Sequence, residues 1–372
     1  MVSKKINIGR LVSFNDFEFF AKKNLKREVF DFIQEGAGEE LTVFNNLSSF
    51  RKYQIIPRML KGIEDVNIET IIFGKLMPTP LCLAPVSGQS LFEKGGEISS
   101  ALAASKLNIP FILSTVSSFS IEEIAKIMKN GLRFFQLYLY ENQDINRDLV
   151  KRAQASGYSG IVLTVDGPVI GKRLRSSRNK TNFNEFTYGN IKKYFPDIKN
   201  GELTSEDISK NFILKKGLSW DDVDELRKWT DLPIILKGIL NPIDAKIAEE
   251  KKLNGLIVSN HGGRQLDGAI SSLNSLRLIS EAIDGRIPLS LDGGVRNGSD
   301  IIKAMALGAT NVLVGRFYVY ALSLFGEIGV EKALNLLISD LKIAMINSGL
   351  ASLSDVEKSM LYEESNIHGY NL

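Results

Sequence analysis

Cysteine and histidine are scarce in this chain of 372 residues, which holds one cysteine, Cys82, and two histidines, His261 and His368. A single cysteine excludes a disulfide within the chain and any zinc or iron–sulfur site that needs several cysteine ligands. Two histidines argue against a histidine-rich metal site. We therefore expect chemistry that uses no metal ion.

An excess of charge of one sign is also missing, because 46 lysines and arginines are balanced by 43 aspartates and glutamates, for a net charge of +3. Neutralising a phosphate backbone needs a basic surplus, so we expect no nucleic-acid partner. No run approaches the roughly 18 apolar residues of a transmembrane helix, and the first residues lack the apolar core of a signal peptide. We expect a cytoplasmic α/β protein without a membrane span.

Eight short apolar runs, each ending in a polar residue or glycine, recur along the chain. Such runs, rich in valine, isoleucine, leucine and phenylalanine, are typical of parallel strands buried on both faces. Helical stretches lie between most of them; in residues 299–307, Ser299 or Asp300 can cap the start, and Gly308 follows the end. The runs are residues 81–86, 111–114, 133–138, 160–166, 233–237, 255–261, 288–292 and 311–316.

Eight strands that alternate with helices predict a (β/α)8 TIM barrel, and the count of eight favours it over a doubly wound open sheet. We expect residues 1–70 to form an N-terminal helical segment that packs on the barrel, with amphipathic stretches such as 16–34, and residues 71–372 to form the barrel. Barrel enzymes place their chemistry at the carboxyl ends of the strands. The polar side chains expected near that face are Gln136, Tyr138, Asp166, Lys237, His261, Asp292 and Arg316.

The connection between the fourth and fifth runs is much longer than the others. Its excess, residues 174–218, includes several aromatic residues, among them Phe183, Phe186 and Phe195. A long insertion at the active face of a barrel is commonly a mobile lid. We expect a lid here, with a solvated surface excursion as the alternative.

The segment Ser259-Asn-His-Gly-Gly-Arg-Gln265 follows the sixth run. A histidine at a strand tip can act as a general base, because its unperturbed pKa lies near neutrality. The planar guanidinium of Arg264 can hold a carboxylate through two hydrogen bonds. A lone histidine is more often a satisfied structural residue, but the neighbouring arginine and the strand-tip position favour the catalytic interpretation.

A second constellation, Asp292-Gly-Gly-Val-Arg296, leads into a helix, and Gly315 and Arg316 follow the last strand. Backbone N–H groups at glycines and at helix amino ends attract anions, and barrels often bind a phosphate after strands seven and eight. Ordinary turns with solvated arginines are the alternative.

Lys237 ends the fifth apolar run, where an unpaired ammonium group would be costly to bury. It could form a Schiff base, act as a counter-charge for a cofactor, or pair with a neighbouring carboxylate.

These motifs together resemble the FMN-dependent family that oxidises α-hydroxy acids, which includes glycolate oxidase, lactate oxidase and mandelate dehydrogenase. The Ser259–Gln265 signature is supported, in family order, by Phe134-Phe-Gln-Leu-Tyr138, Leu163-Thr-Val-Asp166, Leu236-Lys-Gly238 and Val314-Gly-Arg316. The resemblance runs through nearly the whole chain. It implies FMN as the cofactor and oxidation of an (S)-2-hydroxy acid to the 2-oxo acid.

The resemblance also implies roles for individual residues. His261 would take a proton from the substrate while a hydride or its equivalent passes to the flavin, and Asp166 would stabilise the imidazolium. Arg264 and Arg173 would hold the substrate carboxylate, and Tyr138 would hydrogen-bond the substrate.

For the cofactor, the resemblance implies that Lys237 lies against the N1–C2 carbonyl edge of the flavin and stabilises negative charge on the reduced ring. The residues that would contact the flavin are Pro85, Val86, Ser87, Ser114, Gln136, Thr164 and Ser259. The residues that would hold its ribityl phosphate are Asp292, Gly293, Gly294, Arg296, Gly315 and Arg316.

Three positions depart from the family pattern. Phe32 stands where a tyrosine usually donates to the substrate carboxylate, Leu174 and Arg175 follow Arg173 where an acidic residue is common, and Val116 replaces the tryptophan of glycolate oxidase. A hydrogen bond to a charged group contributes roughly 1.5–3 kcal/mol, so a small hydroxy acid should bind less well. We expect a larger substrate, such as a mandelate, although Phe32 could also be a neutral change.

Other functions remain as alternatives. The first is a tailoring oxidase that acts on a modified peptide or another biosynthetic intermediate. A flavin-using isomerase like the type 2 isopentenyl diphosphate isomerases and a non-catalytic flavin-binding protein are the others. Oxygen, a quinone and a protein all remain possible electron acceptors, and the resemblance implies a homo-oligomer, commonly a tetramer.

Overall fold

A computed structural model of the chain describes residues 6–179, 188–194 and 214–364. Each predicted apolar run supplies one parallel strand. The strands are β4 (Leu81–Leu83), β5 (Phe111–Leu113), β6 (Arg133–Leu137), β7 (Ile161–Thr164), β8 (Ile234–Ile239), β9 (Gly255–Val258), β10 (Leu289–Leu291) and β11 (Asn311–Val314). They form a closed barrel in the spatial order β10-β11-β4-β5-β6-β7-β8-β9, which confirms the predicted barrel and excludes the open sheet.

Most of the apolar runs extend past the hydrogen-bonded ladder. Val86, Tyr138, Asp166 and His261 all follow the last residue of their strands, in the loops at the carboxyl end of the barrel. The runs therefore locate both the strands and the loop positions where barrel enzymes carry their functional side chains.

Helices surround the barrel and connect its strands. Residues that alternate along the strands point outward to these helices, while a smaller apolar cluster that includes Ile112, Val162 and Ile257 fills the interior. The helices are α1 (Phe14–Asn24), α2 (Arg27–Gln34), α3 (Leu41–Arg51), α4 (Gly96–Lys106), α5 (Ile121–Met128), α6 (Gln143–Ala155), α7 (Leu174–Asn179), α8 (Trp220–Arg227), α9 (Pro242–Glu250), α10 (Ser272–Ile283), α11 (Gly298–Ala306) and α12 (Arg316–Ser348).

Two helix ends differ from the sequence prediction. The stretch 16–34 is divided into α1 and α2, because Leu25 adopts an extended conformation between them. The cap of α11 is Asn297, whose side chain accepts a hydrogen bond from the backbone N–H of Asp300, so the prediction that Ser299 or Asp300 caps this helix is wrong. Asn297 already lies in the extended conformation that a capping residue needs.

The N-terminal helices pack against the long last helix. Phe14 of α1 makes edge-to-face contacts with Phe317 and Tyr320 of α12, at centroid distances of 5.3 and 5.8 Å, and Phe30 of α2 stacks on Tyr320 at 5.9 Å. This packing holds α2 over the carboxyl end of the barrel. The division of the chain at residue 70 stays a prediction.

A hairpin of β2 (Thr70–Ile72) and β3 (Lys75–Met77) covers the amino end of the barrel. Phe73 at its tip packs edge-to-face on Phe134 at 5.2 Å, and a side chain at Gly255 would collide with the Phe73 ring. A separate two-stranded sheet joins β1 (Tyr53–Ile55) to β12 (Leu361–Glu363). In the described ranges, no helix is both long enough and apolar enough to cross a membrane.

Only parts of the insertion 174–218 fall within the described ranges: α7, residues 188–194 and residues 214–218. Phe183, Phe186 and Phe195 lie outside them. Residues 188–194 dock on the loop after β5, where the buried side chain of Asn190 donates to the carbonyl oxygens of Ser114 and Thr115 and accepts from the backbone of Ile121. The lid function stays a prediction.

Candidate active site

A cavity opens at the carboxyl end of the barrel, and eighteen of the predicted site residues line it. The other two lie directly behind its wall: Asp166 contacts His261, and Ser259 contacts Lys237. The structure therefore brings together all twenty. The lining members are Phe32, Pro85, Val86, Ser87, Ser114, Gln136, Tyr138, Thr164, Arg173, Lys237, His261, Arg264, Asp292, Gly293, Gly294, Arg296, Gly315 and Arg316.

His261 occupies a conformation that is uncommon for a residue with a side chain, with φ at 59°. Its backbone N–H donates to Oγ of Ser259 at 3.0 Å, which holds the turn after β9. Nδ1 of the ring lies 2.9 Å from Oδ1 of Asp166, and Nε2 lies 3.4 Å from the hydroxyl of Tyr138. The backbone thus directs Nε2 toward the cavity while Nδ1 stays bound to a carboxylate.

Electrostatics favour a neutral imidazole beside an ionised carboxylate. Burial lowers the pKa of His261 below 6.5, an effect that the charge of Asp166 opposes in part. Burial alone would raise the pKa of Asp166, but its interactions with His261 and Lys237 outweigh that effect, so the pKa of Asp166 is lowered. Burial and Asp166 raise the pKa of Tyr138 to about 12. At neutral pH, His261 can accept a proton and Tyr138 keeps its own.

Lys237 is a buried residue of β8 and forms an ion pair inside the protein. Its Nζ lies 3.2 Å from Oδ2 of Asp292 and donates to Oγ of Ser259 at 2.9 Å. Burial would lower the pKa of Lys237, but Asp292 and Asp166 raise it above its ordinary value. A lysine held in the charged form is a poor nucleophile, which argues against a Schiff base and agrees with a role as a fixed positive charge.

Four partly buried arginines, Arg173, Arg264, Arg296 and Arg316, give the cavity wall a positive excess. Burial lowers the pKa of all four, and repulsion from Arg173 and Arg316 lowers that of Arg264 further. With Lys237 they make five cations, while Asp292 supplies one carboxylate among the lining side chains. Buried cations need counter-charges, so this wall is suited to anionic groups of a ligand.

Backbone carbonyl groups fix the orientation of two of these arginines. Nη1 of Arg264 donates to the carbonyl oxygens of Phe32 at 2.8 Å and Glu35 at 2.9 Å. Arg316 donates to the carbonyl oxygens of Ile33 at 3.1 Å and Gly262 at 3.0 Å. The carbonyl groups at the end of α2 and at Glu35 therefore support both guanidinium groups.

Aromatic rings line the cavity beside Arg264. The guanidinium carbon of Arg264 lies 5.2 Å from the ring centre of Phe32, and the Phe32 ring lies 6.2 Å from that of Phe92. The Val116 side chain is not part of the cavity wall, and the expectation that a valine in place of a tryptophan enlarges the pocket stays a prediction. In the loop after β5, the N–H of Val116 donates to Oγ of Ser114, and its carbonyl oxygen accepts from the N–H of Gly88.

The residues present fit a flavin mononucleotide. Within the described chain, Nε2 of Gln136, Oγ1 of Thr164 and Oδ1 of Asp292 are buried without a hydrogen-bond partner, as expected for groups that contact a polar ring. The first turn of α12 has no side-chain cap, and a side chain at Gly315, which precedes it, would contact the Cβ of Ala84 at 3.8 Å without a clash. An uncapped helix start beside Arg296 and Arg316 is suited to a phosphate.

Nine lining residues, among them Ile33 and Phe92, were not among the predicted site residues. Sequence reasoning also missed Glu35, a fully buried carboxylate behind the wall and beside the arginines. In the sequence, the only indication of a role for Glu35 is its position directly before the segment Gly36-Ala-Gly38, where two glycines interrupt the helical pattern. Among the described residues, no cluster of three or more histidine, cysteine, aspartate or glutamate side chains could hold a metal ion.

The barrel, the histidine–aspartate pair and the adjoining cavity suited to a flavin are together typical of a flavin-dependent oxidoreductase. A model of the FMN-dependent dehydrogenase family matches residues 21–363, and the chain belongs to that family. FMN is its cofactor, and it is an oxidoreductase that acts on 2-hydroxy acids.

Similar proteins agree with this assignment. The chain is 39% identical over 349 residues to L-lactate oxidase of Lysinibacillus sphaericus, covering 92% of this chain and 90% of the relative. It is 35% identical over 363 residues to 2-hydroxyacid oxidase 1 of Homo sapiens, covering 95% and 97%. The crystal structure of a mandelate oxidase with (S)-4-hydroxymandelic acid matches with a TM-score of 0.87 and 38% identity, covering 94% and 98%.

Proposed function

We propose that the protein oxidises an (S)-2-hydroxy acid with a large or aromatic substituent to the 2-oxo acid. The observation that carries this proposal is the partly buried His261–Asp166 pair, 2.9 Å apart, whose other imidazole nitrogen lies beside the Tyr138 hydroxyl in a cavity with an arginine-rich wall. One base and one carboxylate-binding wall are what removal of a proton from a 2-hydroxy acid requires.

Each polar group on this side of the cavity then has a role in handling the substrate. Nε2 of His261 accepts the substrate proton, and Asp166 stabilises the imidazolium that results. Arg173 and Arg264 bind the substrate carboxylate, and the Tyr138 hydroxyl, 3.4 Å from His261, hydrogen-bonds the substrate oxygen. FMN, when bound, accepts the two electrons of the oxidation.

The remaining lining residues would hold the cofactor. Lys237, kept charged by Asp292, stabilises negative charge on the reduced ring. The uncapped start of α12, together with Arg296 and Arg316, neutralises the phosphate. The residues proposed to contact the flavin are Pro85, Val86, Ser87, Ser114, Gln136, Thr164 and Ser259, and those proposed to hold the phosphate are Asp292, Gly293, Gly294, Arg296, Gly315 and Arg316.

The rings of Phe32 and Phe92 support a substrate with an apolar or aromatic substituent, because such a group would gain contact area on this wall. The likeness to mandelate oxidase structures supports the same choice. The similar proteins do not favour the tailoring oxidase, since they are named for simple hydroxy acids.

We also propose oxygen as the electron acceptor, because the similar proteins are named oxidases. The overall reaction is then one hydroxy acid and one O2 to one 2-oxo acid and one hydrogen peroxide. The homo-oligomeric state, a tetramer by family resemblance, and the cytoplasmic location are proposals of the same kind. Sedimentation of the purified protein would test the first, and fractionation of cells the second.

The test of function is steady-state turnover with (S)-mandelate, (R)-mandelate, (S)-lactate and glycolate in air. We expect (S)-mandelate to give the highest kcat/KM and equal amounts of phenylglyoxylate and peroxide. Turnover with an added quinone or protein acceptor but without peroxide would contradict oxygen as the acceptor. Substrate consumed without net oxidation would revive the isomerase alternative.

A further inference from the structure

Glu35 is a buried carboxylate for which the proposed reaction assigns no role. It lies between the end of α2 and the tight turn at Gly36, and its exposed fraction is 0%. A side chain at Gly36 would collide with Val43, so the backbone next to Glu35 has little freedom to move. A buried carboxylate is costly unless hydrogen bonds or a positive charge stabilise it, and Glu35 has both.

Its hydrogen bonds reach the helix that follows a substrate arginine. Oε2 accepts from the backbone N–H of Ser176 at 2.9 Å, and Oε1 accepts from the Ser176 hydroxyl. Ser176 lies in α7, which begins directly after Arg173. The Glu35 side chain therefore fixes the start of this helix, and with it the backbone that carries Arg173.

The backbone of Glu35 contacts the other arginines. Its carbonyl oxygen accepts from Nη1 of Arg264 at 2.9 Å and from Nη2 of Arg316 at 3.2 Å. Its charge also acts on the substrate arginines: burial lowers the pKa of Arg173 and of Arg264, and for each of them Glu35 is the largest opposing influence. The backbone of Glu35 thus supports the guanidinium groups of Arg264 and Arg316. Its side chain adds a negative charge that acts on Arg173 and Arg264, the two arginines proposed to bind the substrate carboxylate.

We propose that Glu35 is a positioning residue that serves as the internal counter-anion of Arg173 and Arg264 and so sets their affinity for the carboxylate of the substrate. This inference rests on the proposed function, since it assumes that the two arginines bind a carboxylate. The negative charge of Glu35 partly neutralises the two arginines and repels an entering carboxylate, which weakens the binding of that carboxylate. Removing the charge of Glu35 should therefore strengthen anion binding, whereas a residue with a purely structural role would weaken it or leave it unchanged when replaced.

The experiment measures the dissociation constant of oxalate from the change that it causes in the visible spectrum of the FMN-loaded protein. Oxalate carries the carboxylate of a 2-hydroxy acid but has no hydrogen on carbon to be removed. Glu35→Gln keeps an acceptor for Ser176 and removes the charge. We expect its oxalate dissociation constant to fall about tenfold, and KM for (S)-mandelate to fall by more than kcat changes. An unchanged or higher dissociation constant in this variant would overturn the inference.

Ser176→Ala gives the opposite sign and does not depend on the folding of the first variant. It removes a hydrogen bond to the Glu35 carboxylate and leaves the negative charge beside the arginines less shielded, so the oxalate dissociation constant should rise several-fold. A constant that falls or stays the same would contradict the inference. The matched control is Glu39→Gln, an exposed carboxylate on the same loop, for which we expect the parent value.

The parent protein separates the two proposals. If oxalate leaves the flavin spectrum of the parent unchanged, the arginines do not bind a carboxylate, and both the proposed function and this inference fail. If oxalate binds to the parent but Glu35→Gln binds it no more tightly, only the role of Glu35 fails.

Discussion

The two ends of the barrel are built from the same eight strands but hold opposite kinds of side chain. At the amino end, the Phe73 ring of the β2–β3 hairpin packs on Phe134 and covers an apolar interior. At the carboxyl end, the cavity wall carries five cations, and His261 has an uncommon backbone conformation. The first arrangement stabilises the fold, and the second places buried charge where a ligand can use it. Changes at the two ends should therefore separate stability from activity.

The largest effect is expected from His261→Asn at the carboxyl end. Loss of a general base costs about 10²- to 10⁴-fold in rate, so anaerobic reduction of the flavin by (S)-mandelate should slow by that factor. The flavin should remain bound and the midpoint of thermal unfolding should stay near that of the parent. A variant that is reduced at the parent rate would remove His261 from the chemistry.

Phe134→Ala is the counterpart at the amino end. Removing a buried phenylalanine and leaving a cavity costs about 3–5 kcal/mol of unfolding free energy, which denaturant unfolding would measure. Below the unfolding transition, kcat with (S)-mandelate should match that of the parent. A loss of kcat without a loss of stability would show that the two ends are not separable in this way.

Asp166→Asn tests the electrostatic account of the base. In the parent, kcat/KM should be full above the pKa of His261, which burial places below 6.5, and should fall as the pH drops through it. The Asp166 charge opposes that lowering, so its removal should move the acidic limb of the profile to lower pH. It should also reduce kcat by about 10- to 1000-fold, because an opposite charge at this distance shifts a pKa by 1–3 units. An acidic limb that moves to higher pH would contradict this account.

The smallest effect is expected from Phe32→Tyr, which adds a hydroxyl next to Arg264. If that hydroxyl donates to the substrate carboxylate, it contributes about 1.5 kcal/mol, and KM for glycolate should fall about tenfold. Phe92→Tyr is the matched control, because it adds the same group to the neighbouring ring. Equal changes in both variants would attribute the effect to the polarity of the wall alone.

The sequence was sufficient to predict the barrel, because continuous apolar runs report strands that are buried on both faces. It also located most of the wall, since a residue at the carboxyl end of a barrel strand must lie near its equivalents on the other strands. His261 and Lys237, for example, are predicted by their position at strand ends and by their chemistry, independently of any family resemblance. Their roles stay predictions that the variants above test.

What the sequence did not reveal depends on contacts between distant parts of the chain. Glu35 and Ser176 are 141 residues apart, and neither belongs to a motif, so only the folded chain shows their hydrogen bonds. The break between α1 and α2 lies at Leu25, whose extended backbone is not signalled by a proline or a glycine in the sequence.

The most direct test of the central claim is anaerobic titration of the yellow, FMN-loaded protein with (S)-mandelate and with (R)-mandelate. The proposed function predicts that the (S) form bleaches the flavin completely and yields one phenylglyoxylate per flavin, while the (R) form leaves the spectrum oxidised. If neither mandelate, nor lactate or glycolate added afterwards, bleaches the bound flavin, the proposal that this cavity oxidises 2-hydroxy acids is contradicted.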